Sequence, residues 1–175
     1  ASVAAYRLFP HVQRRVAAWR DPWSDVADTG YQIAQSLFAI GTGGWLGMGL
    51  GRGLPEKIPV VEEDFMISAV AEELGGLFAI CLILICLGCF LQFMMIAVRM
   101  QAMFYKLIAF GLGCEYIVQV LLTVGGAVKF IPLTGVTLPL VSYGGSSVAG
   151  TFILFSVIQG LYILKRNEEE EDEEK

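Results

Sequence analysis

Four long stretches of this chain are almost free of charged residues, and they restrict its fold more than any other feature. They are residues 30–50, 77–98, 107–128 and 148–164, and Glu115 is the only charged residue in them. Each stretch approaches the roughly 20 residues that a helix needs to cross about 30 Å of hydrocarbon. The mean hydropathy of +0.63 over 175 residues is also higher than soluble domains usually have. We therefore predict an all-α, polytopic transmembrane bundle with about four spans.

Lysine and arginine predict its orientation, because near short loops they are kept on the cytoplasmic side of the membrane. Eight of the twelve basic residues form three groups: Arg7, Arg14, Arg15 and Arg20; Arg99 and Lys106; and Lys165 and Arg166. With all three groups in the cytoplasm, residues 51–76 and 129–147 become outer loops. We therefore predict a cytoplasmic or interfacial segment 1–28, a transmembrane region 29–166 and a cytoplasmic C-terminus.

The two ends of the chain differ from the hydrophobic stretches. Residues 168–174 are all acidic, and a block of like charges cannot bury apolar surface, so we expect 167–175 to be a disordered tail. Docking of this tail to a cytosolic protein is the alternative. Residues 1–10 are neither a signal peptide nor a complete span, so we expect further transmembrane helices to precede this chain. Membrane lipid is an expected partner, and nucleic acid is not.

The available residues exclude several kinds of active site. His11 is the only histidine, so the chain cannot build a histidine metal site or a histidine triad by itself. The four cysteines lie inside the hydrophobic stretches, where packing is their expected role. The glycine-rich run 41–53 lacks the Gly-Lys-Ser/Thr ending of a phosphate-binding loop. We instead expect Gly43 and Gly47 to allow close helix packing.

The two outer loops contain the polar residues that are candidates for chemistry. A helix from Asp64 to residue 98 would be about 50 Å long, which is longer than the bilayer is thick. Its first turns, with Glu72 and Glu73, must project outward or be separated from the span by a break near residues 75–76. Residues 132–147 contain too much proline and glycine for a regular helix. Irregular backbone beside a membrane needs protein or water around it, so we expect this loop to fold back as a re-entrant element.

A set of motifs occurs in the order in which one protein family carries them. They are Trp19-Arg-Asp-Pro-Trp23, Gly30-Tyr-Gln32, Gln35-Ser36, Gly47-Met-Gly-Leu-Gly51, Asp64-Phe65, Glu72-Glu-Leu-Gly75, Pro132-Leu-Thr-Gly-Val-Thr-Leu-Pro139 and Ser142-Tyr-Gly-Gly-Ser-Ser147. On these motifs the chain resembles the SEDS family of FtsW, RodA and SpoVE over all but its acidic tail. The resemblance implies roughly helices seven to ten of a ten-helix protein in the bacterial cytoplasmic membrane. It also implies a peptidoglycan glycosyltransferase of cell division or cell shape, which polymerises lipid II at the outer face beside a class B penicillin-binding protein.

The resemblance gives Asp64 a role, because it matches the aspartate expected to be catalytic in the family. As a general base it would take the proton of a sugar 4-hydroxyl on one lipid II, which attacks the anomeric carbon of another. From its position alone, Asp64 also fits a helix N-cap, for which aspartate is favoured. Glu62 and Glu63 stand where the family commonly has histidine and threonine, which indicates a divergent paralogue.

Four glutamates are candidates for supporting roles. Glu62 and Glu63 could raise the pKa of Asp64 by repulsion, or bind a divalent cation, Mg or Mn, that neutralises the pyrophosphate. Glu72 and Glu73 match the family motif, and they either orient the base or its cationic partner or make structural contacts at a helix end.

The remaining candidates carry weaker signals. Glu115 is an ionisable group inside a span, a position that is usually functional or paired. The outer-side cations that could hold pyrophosphate, or be ordinary surface charges, are Arg52, Lys57 and Lys129. The polar residues of the second loop that could contact substrate are Ser142, Tyr143, Ser146 and Ser147.

Two other functions remain open from the sequence. A lipid II flippase would depend on Glu115 and would be indifferent to Asp64. A noncatalytic membrane scaffold of the cell-wall synthesis complex would tolerate changes at both residues and depend on the helix faces that contact the penicillin-binding protein.

Overall fold

The computed structural model describes residues 9–23, 30–54, 58 and 61–173, except for the side chains of residues 11, 169 and 171–173. All regular secondary structure in this part of the chain is α-helical, which confirms the predicted fold class. The helices are α1 (Pro10–Arg20), α2 (Tyr31–Gly43), α3 (Met66–Leu74), α4 (Gly76–Arg99), α5 (Met103–Ala127) and α6 (Gly145–Glu173).

Three helices of the described residues are long and apolar enough to cross a membrane, and not the four that hydropathy predicted. They are α4, α5 and residues Gly145–Glu168 of α6. The stretch 30–50 forms only α2, whose 13 residues measure about 20 Å, too short for a span. The helix stops because Gly44 adopts a left-handed conformation with φ of 57°, and glycine carries no Cβ to oppose it.

The three long helices pack around a cluster of aromatic rings. Phe93 of α4, Tyr116 of α5 and Phe155 of α6 meet edge to face, with ring centroids 5.3 to 5.9 Å apart, a geometry that the ring quadrupoles favour. Gly113 lets α5 approach α4, since a Cβ there would overlap the side chain of Met94. Cys86 is buried in the same core and has no disulfide partner, as the packing interpretation predicted.

Helix α1 lies at the same end of the bundle as the second outer loop, and the prediction that they occupy opposite sides of the membrane is wrong. The indole N–H of Trp19 donates to the carbonyl of Lys129 at 3.0 Å. The guanidinium of Arg15 donates to the carbonyl of Leu133 at 3.1 Å. The assignment failed because α2 does not cross, so no span separates α1 from the start of α4.

The glycine-rich loop after α2 folds over the break between α3 and α4. Gly75 makes this break with φ of 94°, as predicted for residues 75–76. The last carbonyls of α3, those of Glu72 and Glu73, accept hydrogen bonds from Met48 and Gly49, while the first N–H groups of α4 donate to Gly44 and Trp45. Backbone groups that two helix ends would leave unpaired are therefore satisfied by one loop.

Gly43 and Gly47 pack closely, as the sequence predicted. A Cβ at either position would overlap the backbone of α3 or of the break that follows it. Gly47 lies beyond the end of α2, however, so the two glycines belong to the loop junction and do not form one face of a helix.

The acidic end of the chain is helical as far as Glu173, which corrects the prediction of a disordered tail for residues 167–173. The span already supplies the helix nucleus, so each further glutamate needs only to propagate it, and glutamate is a good helix former. Arg166 pairs with Glu170 one turn later at 2.8 Å, an i,i+4 contact that supports the helix.

Candidate active site

Asp64 ends a turn over residues 61–64, immediately before α3. The N-cap of α3 is Phe65, and no side chain caps this helix end. The N–H groups of Ser68 and Ala69 bond to the backbone carbonyl of Phe65. Phe65 is fully buried and fixes the turn, while the carboxylate of Asp64 is only partly buried. The structure thus gives Asp64 no capping role, and its carboxylate stays available for other chemistry.

Three segments converge at Asp64: helix α1, the turn 61–64 and the second outer loop. A Cβ built on Gly135 would lie 3.6 Å from Oδ2 of Asp64 and 3.8 Å from Nη1 of Arg15. Gly135 has φ of 74°, a conformation that a residue with a side chain rarely adopts. An acid and a base therefore both approach the side of Gly135 from which only a hydrogen atom projects. We call Arg15, Asp64 and Gly135 the Asp64 site.

The environment of Asp64 raises the pKa of its carboxyl group above the usual value of 3.8. Burial is the largest cause because it penalises the charged form, and the negative charge of Glu63 acts in the same direction. The guanidinium of Arg15 opposes both by favouring the carboxylate. A raised pKa makes the carboxylate a stronger base, and the effect predicted for Glu63 is confirmed.

Internal hydrogen bonds shape the second outer loop and hold it against α5 and α6. Ser142 is buried, and its Oγ accepts from the N–H of Leu138 at 3.0 Å. Thr137 donates its hydroxyl to Ser147 at 2.6 Å, and the amide of Gln119 on α5 donates to the carbonyl of Thr137 at 3.0 Å. These contacts are the support that an irregular segment beside a membrane requires. They give Ser142 and Ser147 a structural role in the loop.

Two other residues of this motif remain candidates for substrate contact. The side chains of Tyr143 and Ser146 are both exposed. The backbone N–H of Tyr143 donates to the carbonyl of Glu62 at 2.7 Å, which places this motif beside the turn that carries Asp64.

Glu72 and Glu73 hold the glycine-rich loop in place. Oε1 of Glu72 accepts from the N–H of Leu54 at 3.2 Å, and Oε1 of Glu73 accepts from the N–H of Gly51 at 3.1 Å. Glu72 is buried, and its second oxygen has no hydrogen-bond partner. Of the two roles that the sequence left open, these contacts favour the structural one.

The structure describes two of the three basic residues that could hold pyrophosphate. Arg52 is exposed and lines a cavity of about 230 Å³ that also contains Glu72 and Gln35. Lys129 follows α5 in a left-handed conformation, with φ of 61°, and is partly buried. Lys57 lies outside the described residues.

The structure leaves the predicted divalent cation untested. In the described part of the chain, no three His, Cys, Asp or Glu side chains converge on one point, although Glu62, Glu63 and Asp64 are consecutive. Glu62 and Glu63 extend from the turn as exposed side chains. Magnesium is commonly held by only one or two carboxylates together with substrate phosphates, so the cation stays a prediction.

Three residues that the sequence analysis did not select are structurally important here. Arg15 was assigned to the opposite side of the membrane, and Gly135 was only part of a motif. Gln119 is a polar residue within a hydrophobic stretch, and intramembrane polar groups of this kind often mark a site. That signal was noticed for Glu115 and could have identified Gln119 as well.

Comparison with known proteins agrees with the family resemblance of the sequence motifs. The family model of FtsW, RodA and SpoVE, described as a cell cycle protein, matches residues 1–167. The chain is 41% identical over 157 residues to the peptidoglycan glycosyltransferase RodA of Mycobacterium tuberculosis strain H37Rv, covering 90% of this chain and 34% of that protein. It is 40% identical over 161 residues to the probable peptidoglycan glycosyltransferase FtsW of Aliivibrio salmonicida, covering 88% and 39%. The chain thus spans between a third and two fifths of the length of these relatives.

Proposed function

The chain belongs to the family of cell cycle proteins that includes FtsW, RodA and SpoVE, and from this premise we propose that it carries the catalytic base of a peptidoglycan glycosyltransferase. The relatives from Mycobacterium tuberculosis and Aliivibrio salmonicida have this activity in their names. The proposed substrate is lipid II, the undecaprenyl-pyrophosphate-linked disaccharide peptide. The proposed partner is a class B penicillin-binding protein that crosslinks the product.

The position of Asp64 is the observation that carries this proposal. The carboxylate is partly buried, does not cap α3 and lies where α1 and the second outer loop meet. A base needs an acceptor oxygen that substrate can reach and surroundings that keep its pKa near the working range. Asp64 is not fully enclosed, and its pKa is raised above the usual value of a carboxyl group.

In the proposed reaction, one sugar hydroxyl displaces a pyrophosphate. Asp64 accepts the proton of the 4-hydroxyl on the acceptor lipid II, and the oxygen forms a bond to the anomeric carbon of the donor. The bond from that carbon to the pyrophosphate oxygen breaks, and undecaprenyl pyrophosphate leaves with the electron pair. The anomeric configuration is inverted, and Asp64 returns its proton to water. One base suffices for such a direct displacement.

The basic residues support an outer location for Asp64. Arg99 and Lys106 flank the short connection between α4 and α5, and Lys165 and Arg166 lie near the end of α6 that is remote from the second outer loop. By the tendency of basic residues to remain inside, that end is cytoplasmic. The C-terminus is then cytoplasmic, and Asp64 faces outward together with α1.

An apolar groove along α3 and α4 supports a lipid-linked substrate. It has a volume of about 380 Å³, and its walls include Ile67 and Ala71 of α3 and Ile80 and Ile83 of α4. Ile67 belongs to the first turn of α3, the helix that follows Asp64, and the groove continues along the first turns of a span. A polyprenyl chain could lie in this groove while its pyrophosphate sugar stays near Asp64.

Polymerisation of labelled lipid II tests the proposal. The complete gene product, purified with its penicillin-binding partner and with transpeptidation blocked, should make long glycan strands. Asp64→Asn should lower the rate by about 10²–10⁴-fold, the usual contribution of a general base, without changing the melting temperature or partner binding. Glu62→Gln is the matched control, because Glu62 is exposed in the same turn. Equal polymer from wild type and Asp64→Asn would refute the assignment of the base.

Lipid II translocation is a second candidate because of a polar groove between α5 and α6. Glu115 and Gln119 of α5 and Ser147 and Thr151 of α6 line this groove, which has a volume of about 300 Å³. Polar groups at this depth are characteristic of transport pathways. Glu115→Gln should abolish translocation if this is the function and should leave polymerisation unchanged if it is not. If Asp64→Asn and Glu115→Gln are both without effect, the scaffold is favoured.

A further inference from the structure

Arg15 lies on α1, far from Asp64 in sequence, yet it is the basic residue that acts on Asp64. Its Nη1 donates to the carbonyl of Leu133 at 3.1 Å, which fixes the guanidinium over the second outer loop. Both Nη atoms lie within 3.9 Å of the point where a Cβ of Gly135 would be. The loop thus provides both the hydrogen-bond acceptor that holds Arg15 and, at Gly135, a residue whose missing side chain leaves room for the guanidinium.

Asp64 reaches the same point from the opposite segment, with Oδ2 at 3.6 Å. The guanidinium and the carboxylate therefore both lie on the side of Gly135 from which a side chain would project. Their opposite charges favour the ionised carboxylate. Any side chain at residue 135 would occupy part of the space between them.

Other ionisable groups belong to the segments around Asp64. Glu62 and Glu63 share its turn, Arg14 is the neighbour of Arg15 on α1, and Lys129 and Tyr143 belong to the second outer loop. Of all these residues, only Glu63 and Arg15 change the pKa of Asp64 appreciably, in opposite directions. The protonation of Asp64 is therefore a balance between burial and Glu63 on one side and Arg15 on the other.

We propose that Arg15 is a positioning residue that keeps the carboxylate of Asp64 ionised and holds it beside Gly135. The inference rests on the proposed function, because it gives Asp64 the role of base. It adds a group from a separate helix, which the Leu133 carbonyl holds in place.

The test measures protonation of Asp64 directly and activity separately. A water-soluble carbodiimide modifies protonated carboxyl groups, and mass spectrometry of the peptide containing Asp64 gives the extent of modification at each pH. The complete gene product is compared with Arg15→Met, Arg15→Lys and Arg14→Met. The initial rate of lipid II polymerisation is then measured over the same pH range at saturating and limiting substrate.

In Arg15→Met, the pH at which half of Asp64 is labelled (the labelling midpoint) should rise by about half a unit or more. The reason is that the positive charge that favours the ionised carboxylate is lost. The acid limb of the polymerisation rate should move in the same direction, and the rate at high pH should approach that of wild type. Arg15→Lys should restore most of the shift, and Arg14→Met should leave the midpoint unchanged.

Two results would overturn this inference. An unmoved labelling midpoint with a raised KM for lipid II would mean that Arg15 binds the pyrophosphate. An unmoved midpoint with a uniform loss of rate at all pH values would mean that Arg15 only docks α1. If Asp64→Asn polymerises normally, the proposed function fails, but labelling still determines whether Arg15 controls the protonation of Asp64.

Discussion

The backbone N–H of Tyr143 donates a hydrogen bond of 2.7 Å to the carbonyl oxygen of Glu62. This bond joins the turn that carries Asp64 to the Ser-Tyr-Gly-Gly-Ser-Ser motif, about eighty residues later in the chain. It uses main-chain atoms on both sides, so it does not depend on which side chain stands at residue 62. The hydrogen bond between these two segments therefore tolerates any side chain at residue 62.

The first prediction concerns the pH dependence of polymerisation. Glu63 raises the pKa of Asp64, and only the deprotonated carboxylate can act as a base. In Glu63→Gln the repulsion disappears, so the pKa of Asp64 should fall towards its usual value. The ionised fraction then becomes larger at low pH, and the acid limb of the rate should move to lower pH.

The measurement is the initial rate of glycan synthesis from lipid II between about pH 3 and 8, a range that includes the usual and moderately raised pKa of a carboxyl group. The rate at high pH should be unchanged, because Asp64 is fully ionised there in both proteins. Glu62→Gln is the control, and the acid limb of its rate should lie at the same pH as in wild type. A shift of the limb to higher pH in Glu63→Gln would contradict the role given to Asp64.

The second prediction separates structure from chemistry at Glu72. Its Oε1 accepts from the N–H of Leu54, so Glu72→Ala leaves a donor of the glycine-rich loop unsatisfied. The loss of stability should be about 1–3 kcal/mol, the usual cost of such a group. Glu72→Gln keeps an acceptor oxygen and should unfold within about 1 kcal/mol of wild type.

Thermal unfolding in detergent and polymerisation per folded molecule together check this prediction. Glu72→Gln should retain the activity of wild type, because the proposed role needs only an acceptor. A well-folded but inactive Glu72→Gln protein would instead show that the charge of this carboxylate takes part in the reaction.

The sequence predicted the three long spans correctly, because a span needs about 20 apolar residues and α4, α5 and α6 are visible in hydropathy alone. Hydropathy overestimated the length of α2, because the glycines after Gly43 are uncharged but adopt left-handed conformations that end a helix. Asp64 became the candidate base through a motif. Its N-cap interpretation could be rejected only from the structure, in which Phe65 is the N-cap of α3.

Arg15 could not have been found in the same way. Its hydrogen-bond partner Leu133 is 118 positions away, and no local periodicity reports a contact between segments so distant. The charge rule placed Arg15 in the cytoplasm because it assumed that residues 30–50 cross the membrane. One wrong span therefore moved an entire helix to the wrong side and concealed the cation that faces Asp64.

The third prediction tests whether the apolar groove accommodates the polyprenyl chain. Ile80 lines the groove and is 45% exposed, so Ile80→Trp should fill part of it without disturbing the core. The KM for lipid II with a long polyprenyl chain should rise several-fold. The KM for a short-chain analogue should change little, because its tail does not extend along α4. The value of kcat should be unaffected in both cases, since Asp64 is unchanged.

Leu84→Trp is the matched control for this prediction. Leu84 lies one turn further along α4 and is 58% exposed, but it does not line the groove. It should therefore leave both KM values at the wild-type level. If Ile80→Trp and Leu84→Trp raise the two KM values alike, the effect is a general one of bulk at the lipid-facing surface. In that case the polyprenyl chain binds elsewhere, and the groove beside Ile67 holds ordinary membrane lipid.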